Sequence, residues 1–530
     1  MYMKRKVHFL YAGVIVLMLS FTACNDMWDT HYNGSTEQQK SNLDLYSYIK
    51  TVPDLSLFAE MLEITGYDTI LNKPTTYTVW APHDIALLGV DMADTASLRE
   101  IVRNHISRFS YPTTGLSSKS VYMLDKKVIT FRQSTDNVTF GGVPLINEAS
   151  NIAVSNGILH TIFGYVPYMD NLWEYIGKAP ELDSLRAYLY AQSVYEFDAD
   201  ASVEIGTNDK GQSIYDSVIL FSNPILDKIG ALHMEDSTYT ALLPTNSAWA
   251  LAYDKIKDKY KMLGADAAKK QHLNTQWALV KNLIFREIVD DVAAVDSVTS
   301  TIGNVYKNPA YLFENATKNI HSNGVSYLTN EIAFKAEDSY QQSIIIEAEN
   351  SSYGRTSLYA NLFIRSGLGS AFAVSDGKYL LCEPNTTALS TPNSVTIPIP
   401  NTLSGTYNVY CVFLPSNIVA SEDTRPYKAK FYLSYMGADG KQVTNATINS
   451  VNTVVNKPGS ISAIFNTQGK VITKMFVTKF TFPYCNLYTK GDPVSNITTS
   501  IKVENGTKVN ESALFDRKLR IDYIILEPVQ

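Results

Sequence analysis

Cysteine is scarce in this chain: four in 530 residues, no two of them spaced as CxxC. A zinc ribbon or a thioredoxin-like site therefore has no support. Tryptophan is rarer than size would suggest, five against 34 tyrosines, and none lies beyond Trp277. Any aromatic platform for sugar must therefore use tyrosine or phenylalanine. No basic stripe stands out, and the formal net charge is −7; both argue against nucleic acid as a partner. GxSxG, HExxH and a phosphate-loop lysine are all absent, which removes the local signatures of three common chemistries. "SGLGSAF" from Ser366 has two spaced glycines but no third and sits among strands, so it reads as a loop. Paired carboxylates of glycosidase type leave no local signature, because the partners are distant in the chain. Nothing positive points to them.

Long apolar runs are also few. Val7 to Phe21 falls short of the roughly 20 apolar residues of a membrane span, and no charged stop-transfer run follows it. Lys4, Arg5 and Lys6 precede it, and Thr22-Ala23-Cys24 follow, the layout of a secretory signal peptide. "FTAC" resembles the lipobox of bacterial lipoproteins. That resemblance implies a signal peptide over 1–23, lipid on Cys24, and a flexible polar tether over 24–42. Several acyl chains, at about 0.8 kcal/mol per buried methylene, make a lasting anchor. Asp26 and Asp29 loosely resemble the acidic signal that sends Gram-negative lipoproteins to the outer cell surface, so the expected location is the outer membrane, facing outward. Cys382, Cys411 and Cys485 remain. An odd number cannot all pair internally; one disulfide with one free thiol, or three buried thiols, both stay open.

What is present begins with repetition. With 45% hydrophobic residues the chain is apolar enough for several cores and too long for one. "SNGILHTIFGYVPY" at Ser155 returns as "SNGVSYLTNEIAF" at Ser322, with Gly157 and Gly324 167 residues apart. Similar phrases at domain spacing predict a duplicated domain. In the first copy, "LDLYSYIKTVPDLSLFAEMLEITG" reads as two short helices, with Asp54 as an N-cap and Gly66 as a stop. "TTYTVWAPHDIALL" reads as a strand and then a helix capped by Asp84, "SLREIVRNHISRF" as a helix, and "KKVITFRQ" and "NIAVS" as short strands. Asn156-Gly157 predicts a turn that uses glycine's tolerance of positive φ. The second copy keeps the order: "ELDSLRAYLYAQ", "STYTALLPTNSAWALAYDKI", "LVKNLIFREIV", then the closing phrase. A lysine-rich insertion, "KIKDKYKMLGADAAKKQ", reads as a solvated helix face.

"YTVWAPHDIAL" and "YTALLPTNSAW" resemble the signature of fasciclin domains. "VRNHIS" resembles that family's histidine motif, and "NGILHTIFGYVPY" its closing motif. The resemblance spans roughly 43–336 and implies two compact α+β units, 43–170 and 171–340, serving adhesion without catalysis. His105 and His160 become Leu283 and Tyr327 in the second copy. A catalytic base would not be dispensable in that way, so both are expected to support packing and hydrogen bonds.

From about Ser343 helical periodicity stops. "SIIIEAEN", "KYLLCEP", "SVTIPIP", "GTYNVYCVFLP", "KAKFYLSYM", "KMFVTKFTF" and "LRIDYIILEPV" read as strands of an all-β sandwich over 341–530. "IEAEN", "SGTYNVYCVFL" and "LRIDYIILE" resemble family-6-type carbohydrate-binding modules, which are galactose-binding-like jelly rolls. The fold class is thus α+β: two tandem fasciclin-like domains followed by a jelly-roll sandwich.

Residues two apart on a strand share a face, and two carboxylates there repel unless exposed or bound to a cation. The resemblance implies that Glu347, Glu349 and Asp522 hold a structural calcium ion, for which carboxylate oxygens are suited. The alternatives are a solvated face or pairing with Arg520. Sugar recognition needs aromatic rings with polar neighbours; Tyr353, Tyr484 and Tyr488 are the candidates. The reading is a non-enzymatic surface lipoprotein that binds glycan or protein, with a SusC/SusD-like outer-membrane importer as an implied partner. A glycan hydrolase or esterase with unrecognised carboxylates is the alternative.

Overall fold

Tyr77–Pro82 is buried along its whole length, as a strand covered on both faces must be. A computed structural model of the chain describes residues 41–134, 137–207, 213–366, 372–419 and 423–529, with only backbone at 201–207 and 213–218. Cys24, the lipobox, the signal peptide and the tether up to residue 40 lie outside the described residues. Two compact units form. One holds the chain up to Tyr175 with Leu232–Thr238 and His321–Asn323; the other holds Ile176–Ala231, Tyr239–Ile320 and Gly324 onward. The body of the second repeat and the β-sandwich therefore share one unit.

The first repeat is built on β1 (Tyr77–Pro82), β2 (Ile106–Arg108), β3 (Ile152–Val154) and β4 (Gly157–Ile162), in the order β2-β1-β4-β3. β1 and β4 run parallel, with Tyr77 opposite Gly157 and Pro82 opposite Ile162. The second repeat has β5 (Tyr239–Pro244), β6 (Ile284–Phe285), β7 (Thr317–His321) and β8 (Gly324–Thr329), in the order β6-β5-β8-β7. β5 and β8 are parallel, with Tyr239 opposite Gly324 and Pro244 opposite Thr329. The duplicated phrase therefore marks one register used twice.

The Asn-Gly pair performs two tasks. Asn156 is buried; its Oδ1 accepts from the Leu45 amide at 2.8 Å, and its Nδ2 donates to the carbonyls of Leu71 and Lys73 at 2.6 and 2.8 Å. Asn323 repeats this with the Leu172 amide and the carbonyls of Leu232 and Met234, at 2.9, 2.8 and 3.0 Å. Each asparagine ties the first helix and the lead-in to the central strand onto the closing strand. The glycine is required by close approach: a Cβ on Gly157 would meet the Tyr77 carbonyl oxygen at 2.0 Å, and one on Gly324 the Tyr239 oxygen at 2.0 Å. Gly157 does not have the positive φ expected from the sequence. Packing against the parallel neighbour selects glycine there, and the turn does not.

Helices α1 (Leu45–Ile49) and α2 (Ser56–Thr65) form as expected, α2 ending at left-handed Gly66. Asp54 does not cap α2. The Asp84 carboxylate accepts from the amides of Ser56 and Leu57 at 3.1 and 2.9 Å, across 28 and 27 residues of sequence, and His83 caps the helix that begins at Asp84. The helix expected over "SLREIVRNHISRF" stops after α3 (Thr95–Arg103), and the rest is β2. One core packs Phe58, Leu62, Val79, Leu98 and Val102; another surrounds Trp80, stacked on Phe140 with centroids 4.3 Å apart.

In the second unit, α4 (Asp183–Tyr190), α5 (Asn246–Ile256) and α6 (Ala267–Val280) belong to the repeat. An unforeseen antiparallel hairpin joins Val194–Thr207 to Ser213–Ser222. The lysine-rich insertion is no solvated helix throughout: after α5 the chain makes a short 3-10 turn, Lys257–Tyr260, and then seats the sandwich. The Lys259 and Lys261 carbonyls accept from the amides of Ser404 and Cys485, both at 2.8 Å, and Tyr260 is buried.

The sandwich comprises β9 (Ile344–Glu347), β10 (Thr356–Leu358), β11 (Ala360–Ser366), β12 (Lys378–Pro384), β13 (Ser394–Pro398), β14 (Gly405–Phe413), β15 (Lys428–Met436), β16 (Gln442–Ile448), β17 (Thr473–Phe482), β18 (Ser500–Asn505) and β19 (Leu519–Pro528). One sheet runs β11-β12-β19-β14-β17 with β9 on β19; the other contains β10-β13-β18-β15-β16. Leu380, Val409, Phe413, Phe431 and Ile521 fill the space between them, as face-to-face antiparallel sheets require. Cys382, Cys411 and Cys485 are all free and buried, which decides for three thiols. Burial pushes Cys382 up to about 11 and Cys485 up to about 12. Among the described residues no helix is long and apolar enough to cross a membrane.

Candidate binding site: an aromatic cleft and a carboxylate cluster

The loop after β9 carries Tyr353, and the loop after β17 carries Tyr488. Their rings meet edge to face, with centroids 5.7 Å apart, a geometry aromatic quadrupoles favour. Both line a cleft of about 850 Å³ within the second unit. The cleft's other wall comes from the fasciclin-like repeat: Tyr188 of α4, Trp277 of α6, and Lys281 at the end of α6. The expectation that a platform must do without tryptophan is therefore overturned, because the second repeat lends Trp277 to the sandwich. Sequence alone could not pair residues so far apart. Tyr484 sits elsewhere, its hydroxyl donating to the Ala438 carbonyl at 3.2 Å and the Lys261 ammonium over its ring. Among the described residues that line the cleft there is no aspartate, glutamate or histidine.

The carboxylates gather nearby. Glu347 ends β9 and Asp522 lies on β19, where the Ala348 amide donates to the Asp522 carbonyl at 2.9 Å. Glu349 is in a turn past the strand, so the same-face argument does not hold for it; the turn brings it back toward the pair. Asp522 is 1% exposed and Glu349 8%, which contradicts a solvated face. Arg520 bonds Asp516 at 2.8 Å and the Tyr427 hydroxyl at 3.1 Å instead of this cluster. Ser375 bridges the cluster: its amide donates to both Asp522 oxygens at 3.2 and 3.3 Å, and its hydroxyl to Glu347 Oε1 at 2.7 Å. Burial pushes Asp522 up to about 7, and Glu347, Glu349 and Asp376 add to the push. Glu347 rises for the same first reason, burial. Glu347 Oε2 and Glu349 Oε2 are buried with no hydrogen-bond partner.

Buried oxygens of this kind demand a donor or a cation. Oxygen-only donors fit calcium. Among the described residues no three carboxylate, histidine or cysteine side chains form a ready metal cage, so an ion here would draw the carboxylates together and take further ligands from backbone or water.

The histidines behave as supports. His105 is fully buried between the Ile101 carbonyl (2.7 Å) and the Val166 amide (2.9 Å), and His160 between the Tyr111 carbonyl (2.9 Å) and the Asn151 amide (3.2 Å). Burial pulls both down to about 4, so each is neutral, donating from one nitrogen and accepting at the other. In the second repeat the Tyr327 hydroxyl donates to the Val289 carbonyl at 2.7 Å. Val289 corresponds to Tyr111, since each amide donates to the threonine that starts the same network, Thr240 or Thr78. The replacement of His160 by tyrosine keeps the bond and removes the titrating group.

Residues 53–163 match the family model of the fasciclin domain. The second repeat lies outside that match and shows its kinship through strand order and register. No curated protein matches the chain. Among solved structures, it is similar to a FAS1 domain pair from the insect cell adhesion molecule Fasciclin I, at 11% identity over 54% of this chain and 98% of that one, TM-score 0.21. A Paenibacillus xanthan lyase is similar at 15% identity over 38% of this chain and 15% of that one, TM-score 0.21. So is a xylan-binding domain of carbohydrate-binding module family 22, at 15% identity over 35% and 92%, TM-score 0.20.

Proposed function

We propose that the chain is a surface-exposed, lipid-anchored protein of a Gram-negative outer membrane that holds polysaccharide without transforming it. Cys24 carries the anchor, the fasciclin-like repeats serve adhesion, and a SusC/SusD-like importer is the fitting partner for a captured glycan. One observation carries the reading: a cleft with part-exposed Tyr353, Tyr488 and Trp277 rings whose described lining contains no acid and no histidine. Aromatic rings with sparse polar groups suit a sugar face. A glycosidase needs two carboxylates across the bond, and a serine esterase needs a base; the lining supplies neither. Glu347, Glu349 and Asp522 hold a structural calcium ion, which would supply the positive charge that the orphaned oxygens lack. The test is retention of the full chain, purified in detergent, on a panel of insoluble polysaccharides. Tyr353→Ala and Tyr488→Ala should each weaken retention about tenfold, an effect of about 1.4 kcal/mol, and no reducing ends should appear. Retention on no polysaccharide, or turnover of any, overturns the reading.

A further inference from the structure

The cleft's two cations stand out in a chain with more acids than bases, 52 against 45. Lys281 follows Trp277 by four residues at the end of α6, so both face the same side. Lys228 places its ammonium 5.3 Å from the Trp277 ring centroid, within reach of cation–π attraction. Both line the cleft, and among the described residues neither has an ion-pair partner. Lys281 is half-buried, and burial pushes its ammonium down. A neutral sugar would strip more water from Lys281 and return only uncharged hydroxyl acceptors, whereas an anionic group would offset the loss with a charge-assisted bond.

Resting on the glycan reading above, we infer that the cleft selects acidic polysaccharides, and that the selecting charges, Lys228 and Lys281, come from the fasciclin-like repeat while the sandwich contributes the Tyr353 and Tyr488 rings. The anion is a sugar carboxylate or a sulfate ester, whose oxygens both accept from a lysine ammonium. The repeat is thereby half of a composite site.

Affinity electrophoresis of the full chain, in gels holding polygalacturonate, a sulfated galactan or neutral xylan, tests this. The protein is itself anionic, so retardation by a polyanion runs against bulk charge repulsion. Retardation at least tenfold stronger in one acidic gel than in xylan is expected, and which acidic gel retards identifies carboxylate or sulfate. Lys281→Met, which keeps the apolar stem, should cost about tenfold in the acidic gel and narrow the difference between the acidic and xylan gels. Equal retardation in acidic and neutral gels, or an unaltered K281M, overturns the acidic assignment while the glycan reading stands. Retardation in none of the gels overturns the glycan reading itself. Should K281M fail to fold, the wild-type comparison of acidic with neutral gels decides alone.

Discussion

At the scale of single residues the two repeats differ most tellingly at histidine. His105 and His160 titrate near 4 in the folded first repeat and near 6.5 when unfolded. Between those values the unfolded chain binds more protons, so stability is fully present above pH 6.5 and is lost as pH falls toward 4. The loss is about 3 kcal/mol per histidine. Thermal unfolding of the first unit followed from pH 7 to pH 4 should show it, and His160→Tyr, copying Tyr327, should remove roughly half. An acid profile that His160→Tyr leaves unchanged would mean that the ring's neutrality is not what acid attacks. The asparagine hubs are the second residue-scale feature. Asn156→Ala strands one amide and two carbonyls, a cost on the order of 3 kcal/mol at about 1 kcal/mol or more for each buried group left unpaired. Urea denaturation checks it, with Asn156→Asp no milder, because its second oxygen would face the Leu71 and Lys73 carbonyls.

At the scale of elements, the carboxylate cluster joining β9 to β19 titrates in the opposite sense. Asp522 sits near 7 when folded and near 3.9 when unfolded, so without a cation the folded sandwich binds more protons and gains stability as pH falls from 7 toward 4. A bound cation requires the deprotonated carboxylates. Calcium should therefore raise the melting temperature of the sandwich by several degrees at pH 8 and by much less at pH 5; equal melting with calcium and with chelator at pH 8 would remove the ion. Legibility in the sequence followed the range of the interactions. β1, β14, β15 and β19 were readable because alternation or continuous burial is written in each segment itself. β10, β11 and β16 were not picked out, and neither was the hairpin beginning at Val194, because exposed short or polar strands are defined by their partners; β18 was missed although Ile501 and Val503 alternate inward along it. Asp84 was assigned to the wrong helix for the same reason: its cap crosses 28 residues. Asp84→Ala should cost about 1 kcal/mol. Tyr353 and Tyr488 were legible as aromatics in loops, while Trp277 and Lys281 became site residues only through the fold.

At the scale of the molecule, two short segments of the later sequence belong to the first unit. Lys127 of the first repeat is 4% exposed and donates to Glu174 at 2.5 Å, to Glu235 at 2.7 Å and to Ser322 Oγ at 3.2 Å. Tyr168 adds its ring below the ammonium, 4.9 Å away, and its hydroxyl donates to Glu174 at 2.9 Å. Glu235 and Ser322 lie in the two segments of the later sequence that fold into the first unit. A lone lysine thus fastens the loop that leads into β5 and the turn that leads into β8, next to the Asn323 hub. Charge removal from one side of such a buried cluster is far costlier than removal from both. Lys127→Met should therefore destabilise the first unit by about 3–5 kcal/mol, since it abandons Glu235, itself only 7% exposed. Lys127→Met with Glu174→Gln and Glu235→Gln should recover most of that loss, because the stranded charges are gone. Denaturant unfolding of the single and triple variants measures the coupling. A triple variant no more stable than Lys127→Met would show that the cluster fills space and does not hold these segments by charge.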